Sequence, residues 1–226
     1  MKTKILLKLL AAAGALALAG CSTCDKAAEA VADPAPVSDA DAALARLKAG
    51  NARYVAGHDV CIPAVDTRRA ALTKGQKPSA VIITCSDSRV PPELLFNTTL
   101  GELFVVRTAG EVAGDVELGS IEYAVDHLDT KLVVVLGHTA CGAVTAACQG
   151  GHAEGHIHNL VDAIRPAVEA TKDAKGDKCL AAIDENARMI ARQLAGSEPL
   201  KEELHKHKAR VVAARYDIAT GEVIWL

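Results

Sequence analysis

The sequence predicts an α/β fold: a mainly parallel central sheet flanked by helices, with an N-terminal helical arm and a C-terminal β-hairpin. Three observations predict it. Residues 80–84 (AVIIT), 103–106 and 132–136 (LVVVL) are short continuous apolar runs, the signature of strands covered on both faces. Segments with helical apolar spacing lie between and after them, so that strand and helix alternate. Half of the residues are hydrophobic but only 3% are aromatic, so the core must be built from Val, Ile, Leu and Ala, the residues of those runs.

The first twenty residues stand apart. Lys2 and Lys4 precede a largely apolar run over residues 5–18, broken only by Lys8; small residues Ala19 and Gly20 then separate it from Cys21. That run is shorter than the roughly 20 residues a spanning helix needs, so it reads as a cleaved secretory signal. Leu18-Ala19-Gly20-Cys21 resembles the bacterial lipobox, in which the cysteine is acylated and becomes the mature N-terminus. The plainer alternative is a signal peptide with an incidental cysteine. Ser22, rather than Asp, after the cysteine resembles outer-membrane sorting in a Gram-negative cell. Residues 21–38 lack apolar periodicity and read as a lipidated, flexible tether, leaving 39–226 as one folded domain. The expected location is the periplasmic side of the cell envelope, with a lipid as the sole membrane contact.

Within the domain, residues 41–55 carry helical spacing, with a kink or break expected at Gly50-Asn51. The strands at 80–84 and 103–106 follow, then a helix over 116–128, the strand at 132–136 and an Ala-rich helix over 140–148. Beyond residue 150 helices dominate, at 159–170, 179–194 and 199–207. Residues 211–218 and 222–226, joined across Thr220-Gly221, read as a terminal hairpin. The net charge is −3 and no basic stripe is present, which argues against nucleic-acid binding.

Active sites of parallel sheets lie just past the carboxyl ends of the strands. Cys85 follows the first strand in CSDSR (85–89), and His138 and Cys141 follow LVVVL in GHTACG (137–142). On adjacent strands, Cys85, His138 and Cys141 would converge. Two thiolates and an imidazole with an open fourth position form a catalytic zinc arrangement, and a helix N-terminus after residue 140 would favour the thiolates. Two thiolates neutralise Zn²⁺, so a bound water is acidified less than at a three-histidine site, and activity is expected to rise on the alkaline side of neutral. Asp87 can accept a hydrogen bond from metal-bound hydroxide while Arg89 holds it by a bidentate pair; alternatively Asp87 itself binds the metal and closes the site. A competing reading pairs Cys85 and Cys141 in a disulfide and leaves His138 idle.

The seven cysteines are at 21, 24, 61, 85, 141, 148 and 179. With Cys21 assigned to lipid, six remain and parity permits a disulfide framework, but no spacing implicates Cys24, Cys61, Cys148 or Cys179. The loop GGHAEGHIH carries His152, His156 and His158. It can shuttle protons or sequester metal, or it is a solvated loop that caps the next helix.

CSDSRV, SIEYAV and VVLGHTACGAV together resemble the β-class carbonic anhydrases over almost the whole mature domain. NARY (51–54) and YDI (216–218) with Thr220-Gly221 resemble that family's N-terminal helix and final hairpin. The resemblance implies that Cys85, His138 and Cys141 hold one Zn²⁺ per subunit and that Asp87 with Arg89 is the catalytic dyad. It implies reversible hydration of CO₂ to bicarbonate and a proton, by attack of zinc-bound hydroxide.

Gln76, nine residues before Cys85, matches the plant-like branch, where this glutamine hydrogen-bonds substrate. Phe104 and Tyr123 fall at the apolar and aromatic walls of that pocket, with core packing as the alternative, and Ala109 lines the same cleft. The family's pocket lies at a dimer interface, so a homodimer or higher homo-oligomer is expected. One departure is Arg107-Thr108-Ala109-Gly110-Glu111, where the family usually has Arg-Asn-Ala-Gly-Asn. Glu111 either assists proton export or, as expected for a loop carboxylate, is a solvated charge. The single Trp, Trp225, is remote in sequence from the cleft, so the bicarbonate regulation that one branch builds on a Trp is not expected. Two other readings of the site are hydrolysis of a CO₂ analogue (carbonyl sulfide or carbon disulfide) and a catalytically silent zinc-binding lipoprotein; Asp87, Arg89 and Gln76 argue against the second.

Overall fold

Strands β1 (Ala80–Cys85) and β3 (Leu132–His138) are buried at every position, which is why they read as continuous apolar runs rather than alternating ones. With β2 (Leu103–Thr108), β4 (Arg210–Tyr216) and β5 (Val223–Trp225), they form one sheet in the order β2-β1-β3-β4-β5. The first four strands are parallel, and β5 closes an antiparallel hairpin on β4. The structure, a computed structural model, describes residues 36–58, 65–150 and 153–226. The expected leader, Cys21, Cys24, Cys61 and His152 lie outside the described residues.

Eight helices among the described residues surround the sheet: α1 (Ala40–Val55), α2 (Val65–Leu72), α3 (Pro92–Leu95), α4 (Asp115–Asp126), α5 (Gly142–Gln149), α6 (Ile157–Ala170), α7 (Lys178–Gly196) and α8 (Leu200–Lys206). Alternate residues of a strand point to opposite faces, so one face of the sheet is Val81, Ile83, Val133 and Val135. These pack on Ile121 and Val125 of α4 and on Ala187, Ile190 and Leu194 of α7. Ile82, Val134 and Leu136 on the other face meet Leu47 of α1 and Phe96.

Helix α1 starts at Asp39, whose carboxylate accepts a hydrogen bond from the Ala42 N–H at 2.8 Å. The break expected at Gly50-Asn51 is absent and the helix runs through both residues. Their reason is contact, not termination. A Cβ on Gly50 would lie 1.9 Å from the Phe96 carbonyl oxygen. The Asn51 amide donates to the Leu95 and Gly221 carbonyls at 3.1 and 2.9 Å, and its oxygen accepts from the Val223 N–H at 2.9 Å. Helices α2 and α3 were not anticipated; at eight and four residues they are too short for a periodic signal.

Candidate active site

Because β1 and β3 are neighbours in register, Thr84 opposite Leu136, their carboxyl ends deliver Cys85 and His138 side by side. The Thr84 hydroxyl donates to the Leu136 carbonyl at 2.7 Å and ties the two strands at this point. After β3 the chain turns through Ala140, at φ 55°, and places Cys141 at the N-cap of α5. The Cys85 and Cys141 sulfurs and a ring nitrogen of His138 then lie within 4.8 Å of one another, all three side chains buried. Both cysteines are free thiols, so the disulfide alternative is not what the structure holds.

The donor set fits a divalent ion of the zinc type. The Nδ1–H of His138 donates to the Thr139 carbonyl at 2.9 Å, which fixes the tautomer and leaves Nε2 as an acceptor. That Nε2 is buried and has no hydrogen-bond partner. The Cys141 thiol, donating to Cys85, draws the Cys85 thiol down to about 4; His138 and the Gly110 N–H also lower it, against the effect of burial. Cys141 moves the opposite way, pushed up by the Cys85 thiolate, by burial and by Glu111. Burial opposes the protonation of His138, yet the Cys85 thiolate outweighs it and raises the imidazole. A divalent cation held here would supply the charge that lets both thiolates form together.

Asp87 and Arg89 meet beside this cluster. Arg89 Nε donates to Asp87 Oδ1 at 2.9 Å and its Nη2 to Oδ2 at 2.7 Å, while the Arg89 backbone N–H also donates to Oδ1. The Arg89 hydrogen bonds hold the Asp87 carboxyl well below the usual carboxylate range. Its Oδ2 lies 4.0 Å from His138 Nε2, so an ionised carboxylate faces the cluster without entering it.

The backbone around Cys85 is braced from β2. Arg107 donates from Nε and Nη2 to the Cys85 carbonyl at 3.0 and 2.8 Å, and from Nη2 to the Asp87 carbonyl at 2.6 Å. A 3-10 turn over Ala109–Glu111 follows β2, and its Gly110 N–H donates to Cys85 Sγ at 3.3 Å.

Glu111 corrects the expectation of a solvated loop charge. It is completely buried, and Oε1 accepts from the Asn186 amide at 2.8 Å while Oε2 has no partner. Burial pushes its carboxyl up to about 7, against the Asn186 hydrogen bond.

A family model described as carbonic anhydrase matches residues 80–223, more than half of the chain. The chain is 39% identical to the carbonic anhydrase of Mycolicibacterium smegmatis over 197 residues, which cover 83% of this chain and 94% of the relative. It is 38% identical to carbonic anhydrase 2 of Mycobacterium tuberculosis, covering 84% and 94%. Among solved structures it is similar to the β-carbonic anhydrase of Coccomyxa in complex with acetazolamide (28% identity, TM-score 0.65, 71% of this chain and 77% of that one). A tetrameric β-carbonic anhydrase of Sordaria macrospora matches at 25% identity and TM-score 0.65, covering 70% and 85%. This chain belongs to the β-carbonic anhydrase family.

Not every residue expected at the site of this carbonic anhydrase reaches its own cluster. Phe104 pairs with Val81, four residues before Cys85, or about 13 Å along the strand. Tyr123 on α4 packs its ring 6.3 Å from that of Phe104 and is 47% exposed, so it is not a core residue. Gln76 precedes β1 and lines a surface cleft with Arg46, Lys77 and Glu102. All three lie toward the amino ends of β1 and β2, away from Cys85. His156 and His158 are exposed near the start of α6, and His156 makes no side-chain cap. Cys148 and Cys179 are free and touch each other between α5 and α7, with burial pushing Cys148 up to about 12.

Sequence reasoning missed Asn186 and the bracing role of Arg107. Nothing local marks Asn186, which lies 75 residues from Glu111. A polar residue on the apolar face of an amphipathic helix was the available signal.

Proposed function

We propose that this β-carbonic anhydrase hydrates CO₂ reversibly to bicarbonate and a proton, with one zinc ion per subunit held by Cys85, His138 and Cys141. The observation behind this reading is the buried convergence of two thiols and an imidazole beside a carboxylate gripped by arginine. A zinc ion held by these three side chains would supply an acidified water. Asp87, ionised and oriented by Arg89, accepts a hydrogen bond from the attacking water and turns its lone pair toward the carbon of CO₂. Arg89 holds the carboxylate outside the three-residue donor set, aided by its own hydrogen bond to the Ala140 carbonyl at 3.2 Å. Thr139 fixes the His138 ring, and Arg107 fixes the strand end that carries Cys85 and Asp87. Val144, Val161 and Ile164, packed around the two cysteines, keep bulk water from the buried side.

We assign the enzyme to the plant-like branch, with Gln76, Phe104 and Tyr123 completing the pocket of a second copy while Ala109 lines its own. Their distance from their own cluster, and the exposure of Tyr123, favour a homodimer or higher homo-oligomer. Gln76 donates to a substrate oxygen, and the two rings form a wall suited to an apolar molecule. The leader and Cys21 point to a lipid-anchored enzyme on the periplasmic side of the envelope. No described helix is long and apolar enough to cross a membrane.

The test is stopped-flow CO₂ hydration by the zinc-loaded protein across about pH 6.5 to 9. Activity should rise with pH. Zinc bound stoichiometrically with no hydration at any pH would remove this reading. Acylation is tested by the mass of the mature N-terminus, which should lose its lipid in Cys21→Ser.

A further inference from the structure

We propose that Asn186 is a positioning residue for the metal centre: its side-chain amide locks the Ala109–Glu111 turn so that the Gly110 N–H stays on Cys85 Sγ. The inference rests on the reading of Cys85 as a metal ligand.

Both residues at the end of this turn are left-handed, Gly110 at φ 70° and Glu111 at φ 45°. Glycine adopts that region freely, but a residue with a Cβ does so rarely and must be held there. Asn186, fully buried on α7, provides the hold. Its Nδ2 donates to the Gly110 carbonyl at 2.9 Å and to Glu111 Oε1 at 2.8 Å, engaging backbone and side chain of the same turn. Below the turn, Thr108 Oγ1 donates to the Val112 carbonyl at 2.6 Å and closes its base. On its other side, a Cβ at residue 110 would meet Ile164 Cδ1 at 2.6 Å and Ala143 Cβ at 3.1 Å, so a larger residue there would have to displace the Ile164 side chain. The backbone is thereby aimed, and the direction in which it is aimed ends at Cys85 Sγ, 3.3 Å from the Gly110 nitrogen.

Asn186 has no hydrogen bond to any of the three expected ligands, so it acts through Gly110. An N–H donated to a ligating thiolate withdraws electron density from sulfur and fixes the side chain's direction. Asn186 therefore sets both the geometry and the donor strength of one of the two thiolates. Glu111 is its buried counterpart: the carboxylate supplies the second acceptor that keeps the amide from rotating away.

The test uses the full mature protein loaded with cobalt(II) or cadmium-113 in place of zinc. In the wild type, the Gly110 amide proton should show a scalar coupling to the cadmium nucleus through Sγ. In Asn186→Leu, and in Asn186→Ser should the leucine variant not fold, that coupling should shrink. The sulfur-to-cobalt charge-transfer absorption should move to longer wavelength, as the thiolate becomes more electron-rich. Zinc affinity, by competition with a chromophoric chelator, should fall about 10–100-fold. A variant that binds cobalt with an unmoved band and merely melts earlier would overturn the positioning role and leave the metal reading intact. A wild type without the Gly110 coupling would overturn it as well. A wild type that takes up none of the three metals would overturn the metal reading, and this inference with it.

Discussion

The Arg89 guanidinium grips both oxygens of the Asp87 carboxylate, two residues earlier in the chain, and points Oδ2 at His138 Nε2 from 4.0 Å. Asp87→Asn removes the anionic acceptor while preserving shape. CO₂ hydration should fall about 10²-fold or more, with zinc content unchanged. Arg89→Ala frees the carboxylate, which should then close onto the metal, so activity drops and zinc binding tightens. Stopped-flow rates with parallel metal analysis check both. Arg89 holds the Asp87 carboxyl well below its ordinary value, so protonation of Asp87 should contribute no loss of activity as pH falls toward about 5. An acid limb removed by Asp87→Asn would contradict that.

Stripping the metal separates ligands from the residues that orient substrate. A strong chelator should abolish hydration and added zinc should restore it, because Cys85, Cys141 and His138 remain folded around an empty donor set. Cys85→Ser should not recover under the same treatment: an alkoxide forms far less readily than a thiolate, and the Gly110 N–H then faces a neutral hydroxyl. Zinc stoichiometry by atomic absorption distinguishes the two cases. Full activity in the chelated protein would eliminate the metal centre.

Glu111 should make stability depend on pH. Its folded pKa of about 7 lies above the ordinary 4.5, so the native state binds the proton more tightly than the unfolded chain. The stabilising contribution is complete below about 4.5, fades as pH rises and is lost above about 7. The change across that window is roughly 3 kcal/mol for a fully buried group. Glu111→Gln keeps an acceptor for Asn186 and removes the charge, so it should flatten this slope. Urea unfolding of the metal-free protein at about pH 5 and about pH 8 reads it. The variant should gain stability mainly at the higher pH, and equal gains at both would rule out an ionised Glu111 as the cause.

Gly50 stands where helix propensity and packing disagree. Alanine is the better helix former by about 1 kcal/mol, yet its Cβ would sit 1.9 Å from the Phe96 carbonyl oxygen, a backbone atom that cannot rotate aside. Overpacking wins, and Gly50→Ala should lose about 2 kcal/mol or more, visible as a lowered Tm. An unchanged Tm would mean that α1 and the segment after α3 slide apart without cost.

The strands and the cysteine–histidine cluster were legible because their signals are local. AVIIT and LVVVL record burial on both faces, and Cys85, His138 and Cys141 sit directly after those runs, where the topology of a parallel sheet brings them together. What was illegible depends on partners far along the chain. Gly50-Asn51 looks like a helix break until Phe96, Gly221 and Val223 are seen against it. Glu111 looks like a loop charge until α7 covers it with Asn186. Exposure of a titratable residue is a property of what packs over it, and a loop sequence does not encode that. The family pattern did mark Glu111 as a departure, but its direction, inward rather than outward, required the fold.

The separation of Gln76, Phe104 and Tyr123 from their own Cys85 makes a prediction about pairs of chains. If a second copy completes each pocket, Cys85→Ser and Gln76→Leu damage different halves of one composite site. Each variant alone should be impaired, Cys85→Ser through its missing thiolate and Gln76→Leu through its missing donor to substrate. Co-expressed in equal amounts, half of the dimers are mixed. Within each mixed dimer, the intact Cys85 of one chain faces the intact Gln76 of the other at one site and two damaged groups at the second. Activity should therefore return to about a quarter of the wild-type value, above the sum of the two parents. Size-exclusion chromatography establishes that both variants still associate. Activity no greater than that sum, in chains that do associate, would mean that each pocket is completed within one subunit. Gln76 would then need a path to Cys85 around the amino end of β1, a rearrangement of the segment that joins α2 to the sheet.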